Sequence, residues 1–395
     1  MHLLAKIKTT IIKPIMRIMN FPVPVTYIGS GKIKEITTIL EYQRSEKVLI
    51  ITDKNIVKLG LINDTITSIR KANIEVVIYQ GVKPDPTFAI VDEALEFSKD
   101  CDSVIAIGGG SVLDTAKVVA AAASNNVTSK KLKGLLKVKK ASLNLICVPT
   151  TAGTGSEATI VAVISDNVTH AKTTIIDPKL VPSVAILDPD LTVGLPRSIS
   201  VETAMDALTH ALESYISDYA TVQTKRYCEI AIKMIYQHLP IVYQTPSDID
   251  SREKLLLASF YAGMAFTRTY VGYVHAFSHN IGAKYSIAHG LANAVLLPHI
   301  MDYYQEVCQA DFAVLANIVG LSESNDSIKQ RSEKFVASIH NLNDKMAITK
   351  SLAAFDQEKI LEIIKAAFKE AHGTYPVAKF MSKKEAIEIL NKVCS

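Results

Sequence analysis

The chain has 395 residues, 48% of them hydrophobic and 21% charged, which is too long for one simple core and long enough to bury two. Its 43 Lys+Arg against 39 Asp+Glu leave a formal charge of +4, a balance that argues against nucleic acid or an anionic membrane as an obligate partner. Five widely spread cysteines, Cys101, Cys147, Cys228, Cys308 and Cys394, show no C-x-x-C spacing and point to a reduced, cytoplasmic compartment.

The first twenty residues are basic and apolar, but Lys6, Lys8, Lys13 and Arg17 interrupt every apolar run. No secretory core or membrane span of about 20 residues can form there. The segment reads as a short helix, broken near Pro14, that packs on the body of the protein or on another subunit.

From Pro22 to about Pro196 short apolar runs alternate with helical stretches. The segments 47–53, 74–79, 103–107 and 143–148 are rich in Val and Ile and bounded by polar or turn residues, as buried strands are. Helical patterns over 55–60, 87–99 and 112–123 separate them. Such alternation predicts a doubly wound, mainly parallel sheet that binds its ligand at the carboxyl ends of its strands.

Three features cluster at those ends. Asp53 closes an early strand, where a carboxylate can hold the hydroxyls of an adenosine ribose and repel a 2'-phosphate, favouring NAD over NADP. Gly108, Gly109 and Gly110 lead from a strand into a helix whose free N–H groups and positive dipole end suit a phosphate. Ser111 and Asp114, three apart, resemble a capping box with Asp in place of Glu. The loop Pro149-Thr-Thr-Ala-Gly-Thr-Gly-Ser-Glu157 can set Thr150, Thr151 and Thr154 against a pyrophosphate or ribose. An ordinary tight turn explains either loop taken alone.

Beyond Pro196 the apolar residues fall at helical spacing, for example over 227–238, 251–266, 357–370 and 383–393. An all-helical second domain follows, with the hinge near 187–196, a run of breakers and turn formers. Within it Asp206 and His210 are four apart, as are His275 and His279, so each pair leaves one helix face. Gly282 and Gly290 punctuate this run, and His289 sits where the chain re-enters. Two such helices facing each other present one carboxylate and two or three imidazoles to a common point, the donor set of a divalent transition metal. A lone histidine on an apolar face is more often a core residue, but four or five at ligand spacing are harder to explain that way.

Gly108-Gly-Gly-Ser-x-x-Asp-x-x-Lys117, Pro149-Thr-Thr-Ala-Gly-Thr-Gly-Ser-Glu157, Met205-Asp-Ala-Leu-Thr-His-Ala-Leu-Glu213, His275-Ala-x-x-His279 and His289-Gly290 resemble, in order, the signatures of the iron-containing, metal-dependent alcohol dehydrogenases. The resemblance covers most of the chain. It implies an α/β N-terminal Rossmann-like dinucleotide-binding domain, residues 1–195, followed by an all-α metal and catalytic domain, residues 196–395, an architecture shared with dehydroquinate synthase. It implies Asp206, His210, His275 and His289 as ligands of Fe(II), with Zn(II) the alternative, and His279 near the nicotinamide of NAD. Asp85, Lys172 and Leu191 would join the loops in lining the cofactor.

The implied reaction interconverts a small primary alcohol or diol and its aldehyde. The metal would lower the pKa of the bound alcohol, and the hydride would pass to the nicotinamide. A polyol, glycerol or hydroxy-acid dehydrogenase is the competing reading within the family, and a dehydroquinate synthase-like lyase a more distant one. A homodimer or higher homo-oligomer is expected. Three positions depart from the pattern: Asp85 stands where asparagine is more usual, Ala288 where proline is common, and Thr267-Arg-Thr-Tyr270 where smaller residues precede the first histidine motif. Arg268 or Tyr270 would reshape the substrate pocket if either reached it.

Overall fold

In the computed structural model, residues 2–19, 21–168, 172–352 and 355–394 are described. The chain begins with helix α1 (His2–Ile18). It then alternates through β1 (Val25–Ile28), α2 (Glu35–Tyr42), β2 (Lys47–Ile51), α3 (Lys54–Lys58), α4 (Asn63–Lys71), β3 (Glu75–Tyr79), α5 (Phe88–Glu96), β4 (Ser103–Gly108) and α6 (Gly110–Asn125). Strands β5 (Gly134–Leu135), β6 (Asn144–Pro149), β7 (Val161–Ser165), β8 (Lys172–Ile176) and β9 (Val184–Leu187) complete this part. After Pro196 the described residues hold only helices: α7 (Arg197–Tyr215), α8 (Val222–Gln244), α9 (Ile249–Thr269), α10 (Tyr273–Tyr285), α11 (His289–Tyr304), α12 (Gln309–Ile318), α13 (Ile328–Lys345), α14 (Gln357–Thr374) and α15 (Lys383–Val393).

The six strands β1-β9-β6-β4-β2-β3 form one parallel sheet in that order. Its inner strands are apolar without a break because both faces are covered. Leu49, Ile51, Val104, Ala106, Leu145 and Cys147 pack on one side with α5 and α6 residues. Val48, Ile50, Ile105, Ile107, Ile146 and Val148 pack on the other with α2 and α4 residues. The chain leaves β2 for β3 on one side and continues from β4 on the other, so the strand order reverses between β2 and β4. The carboxyl ends flanking such a reversal are where doubly wound sheets bind ligands. A second, smaller sheet, β5-β8-β7, carries an antiparallel pair between β7 and β8 that strand-helix alternation did not anticipate.

By internal packing the residues divide into two compact units, one of 20–195 with 247–263, the other of 1–19, 196–246 and 264–395. Two segments therefore lie apart from their neighbours in sequence. The start of the chain belongs with the helices: Tyr219 Oη donates to the Thr9 carbonyl at 2.7 Å, Lys13 pairs with Asp218 at 3.5 Å, and α1 lies against α14. Residues 247–263 belong with the sheet, where Ser259 Oγ accepts from Gly155 N at 3.1 Å. Helix α1 also runs through Pro14 rather than breaking there.

Candidate metal centre and dinucleotide loops

Helix α7 carries Asp206 and His210 on one face, α10 carries His275 and His279, and His289 is the first residue of α11. The ligand atoms of Asp206, His210 and His275 lie within 4.8 Å of one another, and all three residues are buried. Nε2 of His275 and of His289 each stand 3.5 Å from Asp206 Oδ1, and Nε2 of His210 stands 4.0 Å away. The imidazoles of His210 and His275 stack at 4.5 Å between centroids.

Other residues orient this set. Glu213, seven positions after Asp206 and so on the same helix face, accepts from His275 Nδ1 at 2.6 Å and from the Gly272 and Val274 amides, both at 2.7 Å. That bond leaves His275 Nε2 for the common point, the way metal-binding histidines are usually held. Asn293, one turn after His289, donates Nδ2 to Asp206 Oδ1 at 2.7 Å and stands 3.1 Å from His289 Nε2. Its own Oδ1 is buried without a hydrogen-bond partner.

Burial alone would push Asp206 up, but the facing imidazoles of His210, His289 and His275 hold it far below the usual carboxylate range. His275 is likewise lowered by burial, yet its bonds to Asp206 and Glu213 raise it to about 9. Two buried carboxylates, Asp206 and Glu213, thus face the His275 ring from its two nitrogens. One carboxylate oxygen and imidazole nitrogens suit a divalent transition ion, so the donor set fits a metal.

His279 takes a different course. Its Nδ1 donates to Glu370 Oε1 at 2.8 Å, and its ring stacks on His289 at 5.1 Å and 15°. Tyr375 Oη donates to the same oxygen at 2.5 Å and Asn280 Nδ2 to Oε2 at 3.1 Å. Burial raises Glu370, but His279 and these donors outweigh it and hold the carboxyl below its ordinary value.

Phe266 stacks flat on His210 at 4.2 Å. Phe277 does not belong with it. Two residues after His275, it lies on another helix face, fully buried against Tyr273 and Phe368. Arg268 donates to the Met264 carbonyl on its own helix and lies 6.0 Å over Tyr227, while Tyr270 sits edge-on to Tyr219.

In the sheet unit the loops after β2, β4 and β6 meet. Thr52 Oγ1 donates to the Ile107 carbonyl at 2.8 Å, and Thr150 N to the Gly108 carbonyl at 3.0 Å. A methyl group on Gly110 would stand 2.5 Å from Thr154, and one on Gly109 would lie 3.5 Å from Thr151. Gly109 is the N-cap of α6 and no side chain caps it; the Val112 amide donates to its carbonyl at 2.9 Å, which leaves the Gly110 and Ser111 amides to an anionic ligand. This fits a dinucleotide pyrophosphate. The capping box expected from Ser111 and Asp114 is not formed. Asp114 instead points away from the helix start, accepting from Ser156 Oγ at 2.6 Å and Val163 N at 2.9 Å.

Asp53 caps α3, accepting from Asn55 N and Ile56 N on Oδ1 alone. Asp85, at φ +52°, pairs with Lys172 at 3.0 Å. Leu191 packs with Ile107 and Val148 in the core beneath these loops. Glu213 and Asn293 were discoverable, since each stands at helical spacing from a ligand candidate on its own helix, seven residues after Asp206 and four after His289. Glu370 and Tyr375 carried no local signal.

A family model described as iron-containing alcohol dehydrogenase matches residues 24–189, and one for the C-terminal part of the Fe-containing alcohol dehydrogenase family matches residues 200–394. The chain is 35% identical to the NAD-dependent methanol dehydrogenase of Bacillus methanolicus over 88% of its own length and 92% of the relative's. It is also 35% identical to the 1,3-propanediol dehydrogenase of Klebsiella pneumoniae over 85% and 88% of the two chains. The crystal structure of a 1,3-propanediol oxidoreductase superposes with a TM-score of 0.90 at 31% identity, covering 95% of this chain and 99% of that one.

Proposed function

The chain belongs to the iron-containing alcohol dehydrogenase family, and from that premise we propose that it interconverts a small primary alcohol or diol and its aldehyde, with NAD(H) carrying the hydride. It is an NAD-dependent oxidoreductase with a divalent metal. The observation that carries the reading is the convergence of Asp206 and His210 from the middle of α7, His275 from the first turn of α10 and His289 from the start of α11.

In this reading those four residues hold the metal, Fe(II) by preference and Zn(II) as the alternative. When bound, the metal supplies Lewis acidity toward the alcohol or carbonyl oxygen. Glu213 and Asn293 keep the ligands aimed. Phe266, flat on His210, lines the site with an apolar ring that rewards small, weakly polar substrates. His279, beside His289 but tied to Glu370, takes up and returns the hydroxyl proton.

The α6 N-terminus, with Gly108, Gly109, Gly110 and Ser111, binds the pyrophosphate. Thr150, Thr151 and Thr154 face it from the neighbouring loop. Asp53 holds the adenosine ribose through Oδ2, and Lys172, paired with Asp85, and Leu191 complete the cofactor's surroundings. Asp114 acts behind the loop, by fixing Ser156 and Val163.

Five unpaired, buried cysteines support a reducing, cytoplasmic setting, and no described helix is long and apolar enough to cross a membrane. We take the working form to be a homodimer or higher homo-oligomer. The lyase alternative is disfavoured, because among the described residues the groups meeting at the metal point are imidazole, carboxylate, amide and phenyl, with no lysine or arginine to take a phosphorylated acid.

A substrate panel tests the reading. NADH formation is measured with ethanol, butanol, 1,2-propanediol, 1,3-propanediol, glycerol and 4-hydroxybutyrate, with iron and zinc reconstituted separately. The highest kcat/KM is expected for a short primary alcohol or diol. Glycerol turned over far above every primary monoalcohol would replace this reading with a polyol dehydrogenase, and no turnover with either metal would overturn it.

A further inference from the structure

The geometry points to Glu370 as a positioning residue for His279, an inference that rests on the reading of His279 as the group handling the hydroxyl proton. Glu370 lies on α14, 91 positions from His279, and belongs to none of the sequence signatures. Its carboxylate gathers three donors: His279 Nδ1 at 2.8 Å and Tyr375 Oη at 2.5 Å on Oε1, and Asn280 Nδ2 at 3.1 Å on Oε2. Two consecutive residues of α10 and one just beyond α14 are thus drawn onto a single half-buried acid.

An ionised carboxylate only accepts hydrogen bonds, so the ring that bonds to it must carry its hydrogen on Nδ1. In a neutral imidazole that leaves Nε2 as the acceptor, the form needed to take a proton. Two constraints then set the ring's orientation. The bond to Glu370 sets its rotation, and the 5.1 Å stack on His289 sets its tilt. This is the arrangement in which a third group orients a catalytic base.

A purely structural tie between α10 and α14 is the competing account, and the packing makes it redundant. The two helices are already joined by the buried Tyr273–His372 hydrogen bond at 2.6 Å and by Phe277 against Phe368 at 6.4 Å. A carboxylate beside the imidazole cluster, with Tyr375 and Asn280 spent on aiming it, adds nothing to that joint that apolar contacts would not supply.

The test uses the full-length enzyme loaded with zinc and NAD, comparing wild type with Glu370→Ala, Glu370→Gln and His279→Gln. Three quantities are read: kcat and KM, bound metal, and the His279 tautomer by nitrogen NMR of histidine-labelled protein. In wild type the Nδ1–H form is expected. Glu370→Ala should mix the tautomers and lower kcat about 10- to 100-fold, with KM and metal content little changed. Glu370→Gln, which keeps the shape and an acceptor, should lose about tenfold and guards against misfolding in the alanine variant.

An unchanged tautomer together with unchanged kcat in Glu370→Ala would overturn the proposal, and so would a kcat loss that merely tracks metal loss. If His279→Gln keeps full kcat while Glu370→Ala still shifts the tautomer, the proton role of His279 fails and the positioning by Glu370 stands.

Discussion

Asp53 caps α3 through one carboxylate oxygen, so its proposed work at the ribose falls to the other. Glycine is a tolerated N-cap, costing only a few tenths of a kcal/mol relative to Asp. Asp53→Gly should therefore leave the melting temperature nearly unchanged while narrowing or reversing the preference for NAD over NADP. Comparing kcat/KM for both cofactors in both proteins checks it, and a wild type that strongly prefers NADPH would remove Asp53 from the ribose. Glu157 offers a second measurement at this scale. It is fully buried, and desolvation, only partly offset by its own backbone N–H and by Lys117, raises it to about 7. A carboxyl raised in the fold binds more protons than in the unfolded chain between about pH 4.5 and 7, so its contribution to stability falls as pH rises through that window. Glu157→Gln removes the titration. Relative to wild type, the variant should gain about 3 kcal/mol between pH 4.5 and 7.5, read from urea unfolding at the two pH values. A difference that does not change with pH would show that Glu157 is not held protonated.

Elements explain which residues could be assigned from spacing. Helices α7 and α10 repeat every 3.6 residues, so Asp206 with His210 and His275 with His279 had to share faces once the helices formed. The same rule assigns Phe277, two positions from His275, to a different face and to the core. Where an element depends on a neighbour, spacing is silent. The loop after β6 passes so close to α9 that Gly155, at φ +56°, could accept a methyl group only 2.5 Å from the Ser259 carbonyl oxygen and 2.8 Å from Gly263 Cα. Gly155→Ala combines left-handed strain with a backbone clash, and should destabilise the protein by about 2–3 kcal/mol while raising the Kd for NAD as Thr154 is displaced. Gly194→Ala, with nothing within 4 Å of the added methyl, is the control and should differ little from wild type. Thermal melts and NAD titration decide. Equal behaviour of the two variants would mean the loop relaxes freely.

At the scale of the molecule, the buried imidazole and carboxylate cluster links metal binding to stability. An ion that binds only the folded chain at about a hundred times its Kd adds about 2.7 kcal/mol. Ferrous iron or zinc should therefore raise the melting temperature of metal-stripped wild type, with about one ion bound per chain. His275→Ala and His289→Ala should lose most of the bound ion and most of the rise, since each removes a donor next to Asp206. Metal analysis alongside the melts is the measurement. Undiminished metal in both variants would rule out the site as drawn.

Periodicity in the chain was enough for the parallel α/β part, the helical part after Pro196, and the sharing of one helix face by Asp206 with His210 and by His275 with His279. Each of these follows from the period of a strand or helix, which the backbone imposes locally. The tertiary structure alone decided what lies between distant segments. It brought Glu370 to His279, turned Asp114 onto Ser156 and Val163 instead of the start of α6, and placed residues 1–19 with the helices and 247–263 with the sheet. The reason is physical. A hydrogen bond between residues 91 apart has no periodic trace in the chain, and forms only because helix packing has already brought its two ends together.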